Sequence, residues 1–281
     1  MKEIRFESRG MTIAGWMKGE GVPVISVHGW LDNANTWRPV ADLVEGVCWL
    51  SLDMPGHGRS GHVRAEETYH FTDYAPVLLD AADHFGWERF HLVGHSMGGS
   101  IVMLIAATYP ERVLSVTMVD SFGPVTSDIG AVQTLRDAID SRRARRGRQH
   151  RSVPTREILA DKMRAGNPFL GDQAVELLLE RMSERREDGW AFTYDMGVRD
   201  LSPIRFSQAQ VGEFLSAIRS PALLFRAAQG AVLRYGKRDE LLAECATMRV
   251  VDIEGNHHVH LNDPEKVAPV LSAFFREVER G

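Results

Sequence analysis

The chain has 281 residues, with 33 Lys and Arg against 38 Asp and Glu, for a formal net charge of -5. Hydrophobic residues make up 44% and charged residues 25%, which excludes an intrinsically disordered chain and, with the acidic balance, a globally basic nucleic-acid binder. A chain of this length encloses a sizeable core without staples, and Cys48 and Cys245 are too few for a disulfide framework.

The elements follow in chain order. Residues 4–8 and 11–17 read as two strands joined by Arg9-Gly10. Residues 24–27 form a short β-branched strand ending at His28-Gly29, and 36–44 carry helical spacing at Trp37, Val40, Ala41 and Val44. A second buried strand over 47–52 stops at Asp53-Met54-Pro55-Gly56. A helix over 72–85 ends at Gly86. Residues 90–93 are a third strand, 97–109 an apolar helix closed by Pro110, and 113–119 a fourth strand. From 122 to 217 the sequence is mostly helical and lacks strong strands. Strand character returns at 221–225 and 249–253, and a last helix covers 264–279. Buried strands alternating with helices predict a parallel sheet covered on both faces. The predicted division is a core over 1–121, a helical insertion over 122–217 and a second core segment over 218–281. No segment resembles a secretory h-region or an 18-residue apolar span, so a cytoplasmic protein without membrane insertion is expected.

Gly94-His95-Ser96-Met97-Gly98 falls between a predicted strand and a predicted helix. This is the setting of a nucleophile elbow, where a sharp turn lifts a serine into the crevice. The turn forces the serine backbone into a strained region, and glycines let neighbouring chains pass close at positions 94 and 98. The backbone N–H of Met97 then opens a helix and faces a developing oxyanion. Ser96 needs a histidine base from another element. Three candidates, His257, His258 and His260, sit after the last predicted strand. No ligand pattern of known spacing accompanies them, so no metal is assigned.

Together, His28-Gly29-Trp30, Asp53-Met54-Pro55-Gly56-His57-Gly58-Arg59-Ser60, Gly94-His95-Ser96-Met97-Gly98 and the His257 loop resemble the α/β-hydrolases. Residues 28–34, Leu223-Leu224-Phe225-Arg226-Ala227-Ala228-Gln229-Gly230 and Gly255-Asn256-His257 resemble the serine hydrolase-like proteins within that superfamily. The resemblance implies an α/β-hydrolase fold, with a mostly parallel eight-stranded sheet and a helical cap inserted before the last two strands. It further implies His257 as base, because its spacing matches the frequent G-H-x-x-H-x-x-x-P ending. The second oxyanion donor would be the N–H of Trp30, and the chemistry would need no cofactor.

One position departs from the family pattern. The acid that usually follows the strand at 221–227 would fall on Gly230. Asp120, at the end of the strand over 113–119, is the favoured replacement, and Asp239 is the alternative acid. Phe122, Trp190, Phe192 and Phe206 are candidates for an apolar acyl pocket. The run Arg142-Arg143-Ala144-Arg145-Arg146-Gly147-Arg148-Gln149-His150-Arg151 reads as a solvated surface of the cap, not a nucleic-acid site.

The expected activity is cleavage of carboxylic esters by Ser96, His257 and Asp120. A C–C, thioester or amide hydrolase with the same triad is the alternative, followed by a non-catalytic binding protein. The expected partner is a small-molecule ester or related acyl substrate, and a homodimer is left open.

Overall fold

The computed structural model describes residues 1–64, 67–126, 130–232 and 238–281. Strands β1 (Lys2–Ser8) and β2 (Met11–Lys18) open the chain as an antiparallel hairpin. Both turn residues, Arg9 and Gly10, have positive φ (52° and 77°), matching the twist that two-residue hairpins prefer. Then come β3 (Val22–Val27), a 3-10 turn over Ala34–Trp37 leading into α1 (Arg38–Leu43), β4 (Val47–Leu52) and α2 (Ala75–His84). Next are β5 (Phe90–His95), α3 (Met97–Thr108) and β6 (Val113–Val119).

The inserted region holds α4 (Ala131–Arg145), α5 (Arg156–Gly166), α6 (Asp172–Met182), β7 (Ser183–Arg186), β8 (Gly189–Phe192) and α7 (Gln208–Ala217). The chain ends with β9 (Ala222–Gln229), α8 (Arg238–Ala243), β10 (Met248–Asn256), α9 (Val259–Asn262) and α10 (Pro264–Arg280).

Eight strands form one sheet in the order β1-β2-β4-β3-β5-β6-β9-β10. Pairing is parallel from β4 through β10 and antiparallel at β1–β2 and β2–β4. The central strands are buried almost throughout, which is why they read as continuous apolar runs rather than alternating ones. One face of the sheet packs α2, α3 and α7 around Leu92, Ile101, Val102, Val116 and Leu215. The other packs α1, α9 and α10 around Trp37, Trp49, Phe225, Leu271 and Phe275.

The insertion differs from its sequence reading in two ways. First, β7 and β8 form a small antiparallel hairpin, extended by a bridge from Val153 to Trp190. Four-residue strands of mixed polarity carry too few residues to show a period. Second, α7 joins the core under the sheet: Val211 and Leu215 belong to the same cluster as α3. The remaining inserted elements build their own core around Leu159, Val175, Leu178 and Leu179, which reaches Leu261. A buried cation ties α6 to the sheet. Arg181 of α6 donates to both carboxylate oxygens of Asp53, at 2.7–3.2 Å, and to Glu3 Oε1 at 2.5 Å. Among the described residues, no helix is long and apolar enough to cross a membrane.

Candidate active site

The turn from β5 to α3 is held by close backbone contacts. Ser96 has φ 51° and ψ −115°, a left-handed conformation that costs about 1–3 kcal/mol for a residue with a side chain. The flanking glycines make it possible. A Cβ on Gly94 would stand 2.3 Å from Gly98 O, and one on Gly98 would stand 2.2 Å from Val27 O. Ser96 N–H donates to Val119 O at 3.1 Å, which fixes the turn against β6. Met97 begins α3, so its N–H has no intrahelical acceptor.

Ser96 Oγ lies 2.9 Å from His257 Nε2, and His257 Nδ1 lies 2.5 Å from Asp120 Oδ2. The carboxylate is the acceptor at Nδ1, so that nitrogen carries the proton and Nε2 is left to accept from the serine. Asp120 leaves β6 with φ 47° and is buried. Its Oδ2 also accepts from the N–H of Ala231 at 2.5 Å, and its Oδ1 from that of Val232 at 3.4 Å. Burial raises the carboxyl pKa, but the hydrogen bonds from His257 and Ala231 outweigh it. Asp120 is thereby held below the usual carboxylate range.

The structure thus brings Ser96, His257 and Asp120 together and leaves Asp239 apart. Asp239 is 73% exposed and pairs with Arg226 at 3.5 Å. Trp30 follows β3 and is half exposed, with its indole N–H donating to Val198 O at 2.8 Å. Each of the four aromatics suggested as pocket lining packs within a core or at its margin. Phe122 is wholly buried in the core beneath the sheet, and so offers no face to a substrate. Phe206 stacks edge-on against Phe214 at the margin of that core. Trp190 and Phe192 pack against the cap's own core.

The other histidines separate by environment. His28 Nε2 accepts from Met54 N–H at 2.9 Å, and His57 is buried beside it, its pKa pushed down to about 3 mainly by desolvation. His260 Nε2 bonds Thr36 Oγ1 at 2.8 Å, and its ring packs on Trp37. His258 and His95 turn toward Asp32. Two groups of residues escaped the sequence reading. The Ala231 and Val232 amides that hold Asp120 carry no side-chain signal. Asp32 lay inside the His-Gly-Trp-Leu-Asp segment, where only its neighbours drew notice.

The alpha/beta hydrolase fold family matches residues 22–264. A serine hydrolase-like protein from Danio rerio is 30% identical over 273 residues, covering 93% of this chain and 83% of its own. The crystal structure of a hypothetical protein from Pseudomonas aeruginosa PAO1 superposes with a TM-score of 0.92. It is 32% identical, covering 98% of this chain and 100% of the other. A thioesterase domain from the curacin biosynthetic pathway shares the fold, with a TM-score of 0.82 at 22% identity, over 96% of this chain and 98% of its own. With the sheet order, the elbow and the family match in agreement, the chain belongs to the alpha/beta hydrolase family.

Proposed function

We propose that the protein is a serine hydrolase that cleaves carboxylic esters through an acyl-enzyme on Ser96. The observation that carries this reading is the hydrogen-bonded series from Asp120 through His257 to Ser96, seated on the strained elbow. His257 Nε2 takes the Ser96 proton as Oγ adds to the carbonyl carbon. The N–H groups of Met97 and Trp30 serve the oxyanion. When the tetrahedral intermediate collapses, His257 returns the proton to the leaving oxygen. Water then repeats the sequence to release the acid. Asp120 holds the imidazole in the required tautomer and stabilises the imidazolium.

Labelling with a fluorophosphonate tests this. Wild type is expected to label at Ser96, and Ser96→Ala to lose the label. A wild type that stays unlabelled under native conditions sinks the reading. A panel of oxygen esters, thioesters and anilides of matched acyl length then ranks the bond types. Oxygen esters are expected to turn over fastest.

A further inference from the structure

Next to the triad lies a second buried cluster that the proposed reaction does not use. Asp32 Oδ2 stands 3.5 Å from His95 Nδ1 and 3.6 Å from His258 Nε2. The three donor atoms all lie within 4.8 Å of one another. The side chains are 7%, 1% and 6% exposed, respectively. Among the described residues, neither Asp32 Oδ2 nor His95 Nδ1 has a hydrogen-bond partner.

The hydrogen bonds around the cluster restrict what can sit at its centre. His95 Nε2 lies 2.8 Å from the His257 carbonyl oxygen. A carbonyl only accepts, so Nε2 carries the proton and the neutral ring presents a bare lone pair at Nδ1. That lone pair faces a carboxylate oxygen in a buried space, an arrangement that costs free energy unless something positive lies between them.

We infer that Asp32, His95 and His258 bind a divalent transition-metal ion, with Zn2+ best suited to two imidazoles and one carboxylate. With Zn–N and Zn–O bonds of about 2.0–2.1 Å, ligand atoms around a tetrahedral ion stand ~3.4 Å apart. The two carboxylate–imidazole separations of 3.5 and 3.6 Å fit that edge, and the two imidazole nitrogens, within 4.8 Å of each other, would draw together on binding. Donation of the other His95 ring N–H to a backbone carbonyl is the usual support of a metal-bound imidazole. Gly29 keeps the space clear. A Cβ there would stand 2.7 Å from His95 Nδ1 and 3.1 Å from Asp32 Oδ2, among the donor atoms themselves. The donor set is too rich in nitrogen for Ca2+ or Mg2+. A water would supply the fourth position.

The spacing of His257, His258 and His260 carries no ligand pattern, and the fold takes only His258 from that run. Asp32 comes from the turn after β3 and His95 from the end of β5. An ion held by these three residues joins the His28-Gly29-Trp30 turn, the elbow and the loop of His257. It touches no reacting atom, so its role is to position the base. Its proton-held alternative, in which His258 or His95 is charged against Asp32, is an outcome of the test.

The chelator-treated full-length chain is titrated with Zn2+ by calorimetry, and metal content is measured after desalting. We expect one equivalent per chain, a higher unfolding midpoint, and visible absorption of tetrahedral intensity when Co2+ replaces Zn2+. Asp32→Asn and His258→Gln should bind more than ~100-fold more weakly, since loss even of an outer support costs 10–100-fold. Ser96→Ala and His257→Ala should keep the ion, which separates this site from an ion resting on the triad. Failure of the wild type to take up Zn2+ overturns the inference and favours the proton-held network. Uptake that survives Asp32→Asn, or that disappears in His257→Ala, overturns it too. If Asp32→Asn does not fold, the wild-type Co2+ spectrum still decides, because its absence is a refutation.

Discussion

The carboxylate of Asp120 fills the place a side chain at Gly230 would need. A Cβ built on Gly230 lies 2.1 Å from Asp120 Oδ1 and 2.4 Å from both Cγ and Oδ2. The two positions end adjacent parallel strands: Val119 of β6 pairs with Phe225 of β9, and Asp120 N–H donates to Phe225 O. A carboxylate reaching His257 from β6 therefore requires glycine at the end of β9. Glycine at 230 and aspartate at 120 are thus one packing arrangement, not two.

This relationship is testable by exchange. Asp120→Asn keeps the shape but loses the charge, and should lower kcat by about 10³–10⁴-fold, on the pattern of a serine-protease triad. Gly230→Asp alone should also inactivate, because two carboxylates cannot share the space. The double variant Asp120→Gly with Gly230→Asp should recover part of the lost rate. Ester hydrolysis by the three proteins checks it, and a double variant no better than Gly230→Asp would count against the exchange.

The strained elbow should show a cost in stability. Ser96→Gly removes the nucleophile and the positive-φ penalty together, and is expected to raise stability by about 1 kcal/mol. Gly98→Ala should do the opposite, since its Cβ would meet Val27 O at 2.2 Å. We expect it to lower stability by ~2–4 kcal/mol and to slow fluorophosphonate labelling. Urea unfolding of both variants measures the difference.

Arg181 should be needed to seat the cap. Its guanidinium is 2% exposed and pairs with the fully buried Asp53. Arg181→Ala leaves that carboxylate uncompensated and should destabilise by about 3–5 kcal/mol. Limited proteolysis should then cut first within 150–200. An unchanged cleavage pattern would show that the cap is held mainly by its apolar contacts.

Stability should fall as the solution is acidified below neutrality. Desolvation pushes His91, His95 and His57 down, the first two to about 4 and the third to about 3. These rings are held neutral in the fold, while the unfolded chain binds protons near pH 6.5. Their contribution is thus complete above that pH and is lost as pH drops toward 4. One such ring contributes up to about 3 kcal/mol. His91, which is bonded to Ser115 and stacked on Phe275, lies away from the triad. His91→Gln should flatten the dependence of the urea midpoint on pH between 7 and 4.5 without altering labelling of Ser96.

The fold was legible in the sequence wherever short-range chemistry dictates it. Buried parallel strands are runs such as Val24–Val27 because both faces are covered, and the elbow is legible because glycines at 94 and 98 leave room that no other residue allows. The sequence offered three neighbouring histidines, His257, His258 and His260, for the proposed base. Only the tertiary structure assigned their partners: His257 to Ser96 and Asp120, His258 to Asp32, His260 to Thr36. The packing of α7 on α3 was hidden for the same reason, whereas the β7–β8 hairpin was hidden because its four-residue strands are too short to show a period. What the sequence by itself determined is the local backbone, set by sterics and burial within a few residues. What the tertiary structure decided is which side chains, 137 to 226 positions apart, share one buried volume, because strand order and register place the ends of β3, β5, β6 and β9 side by side.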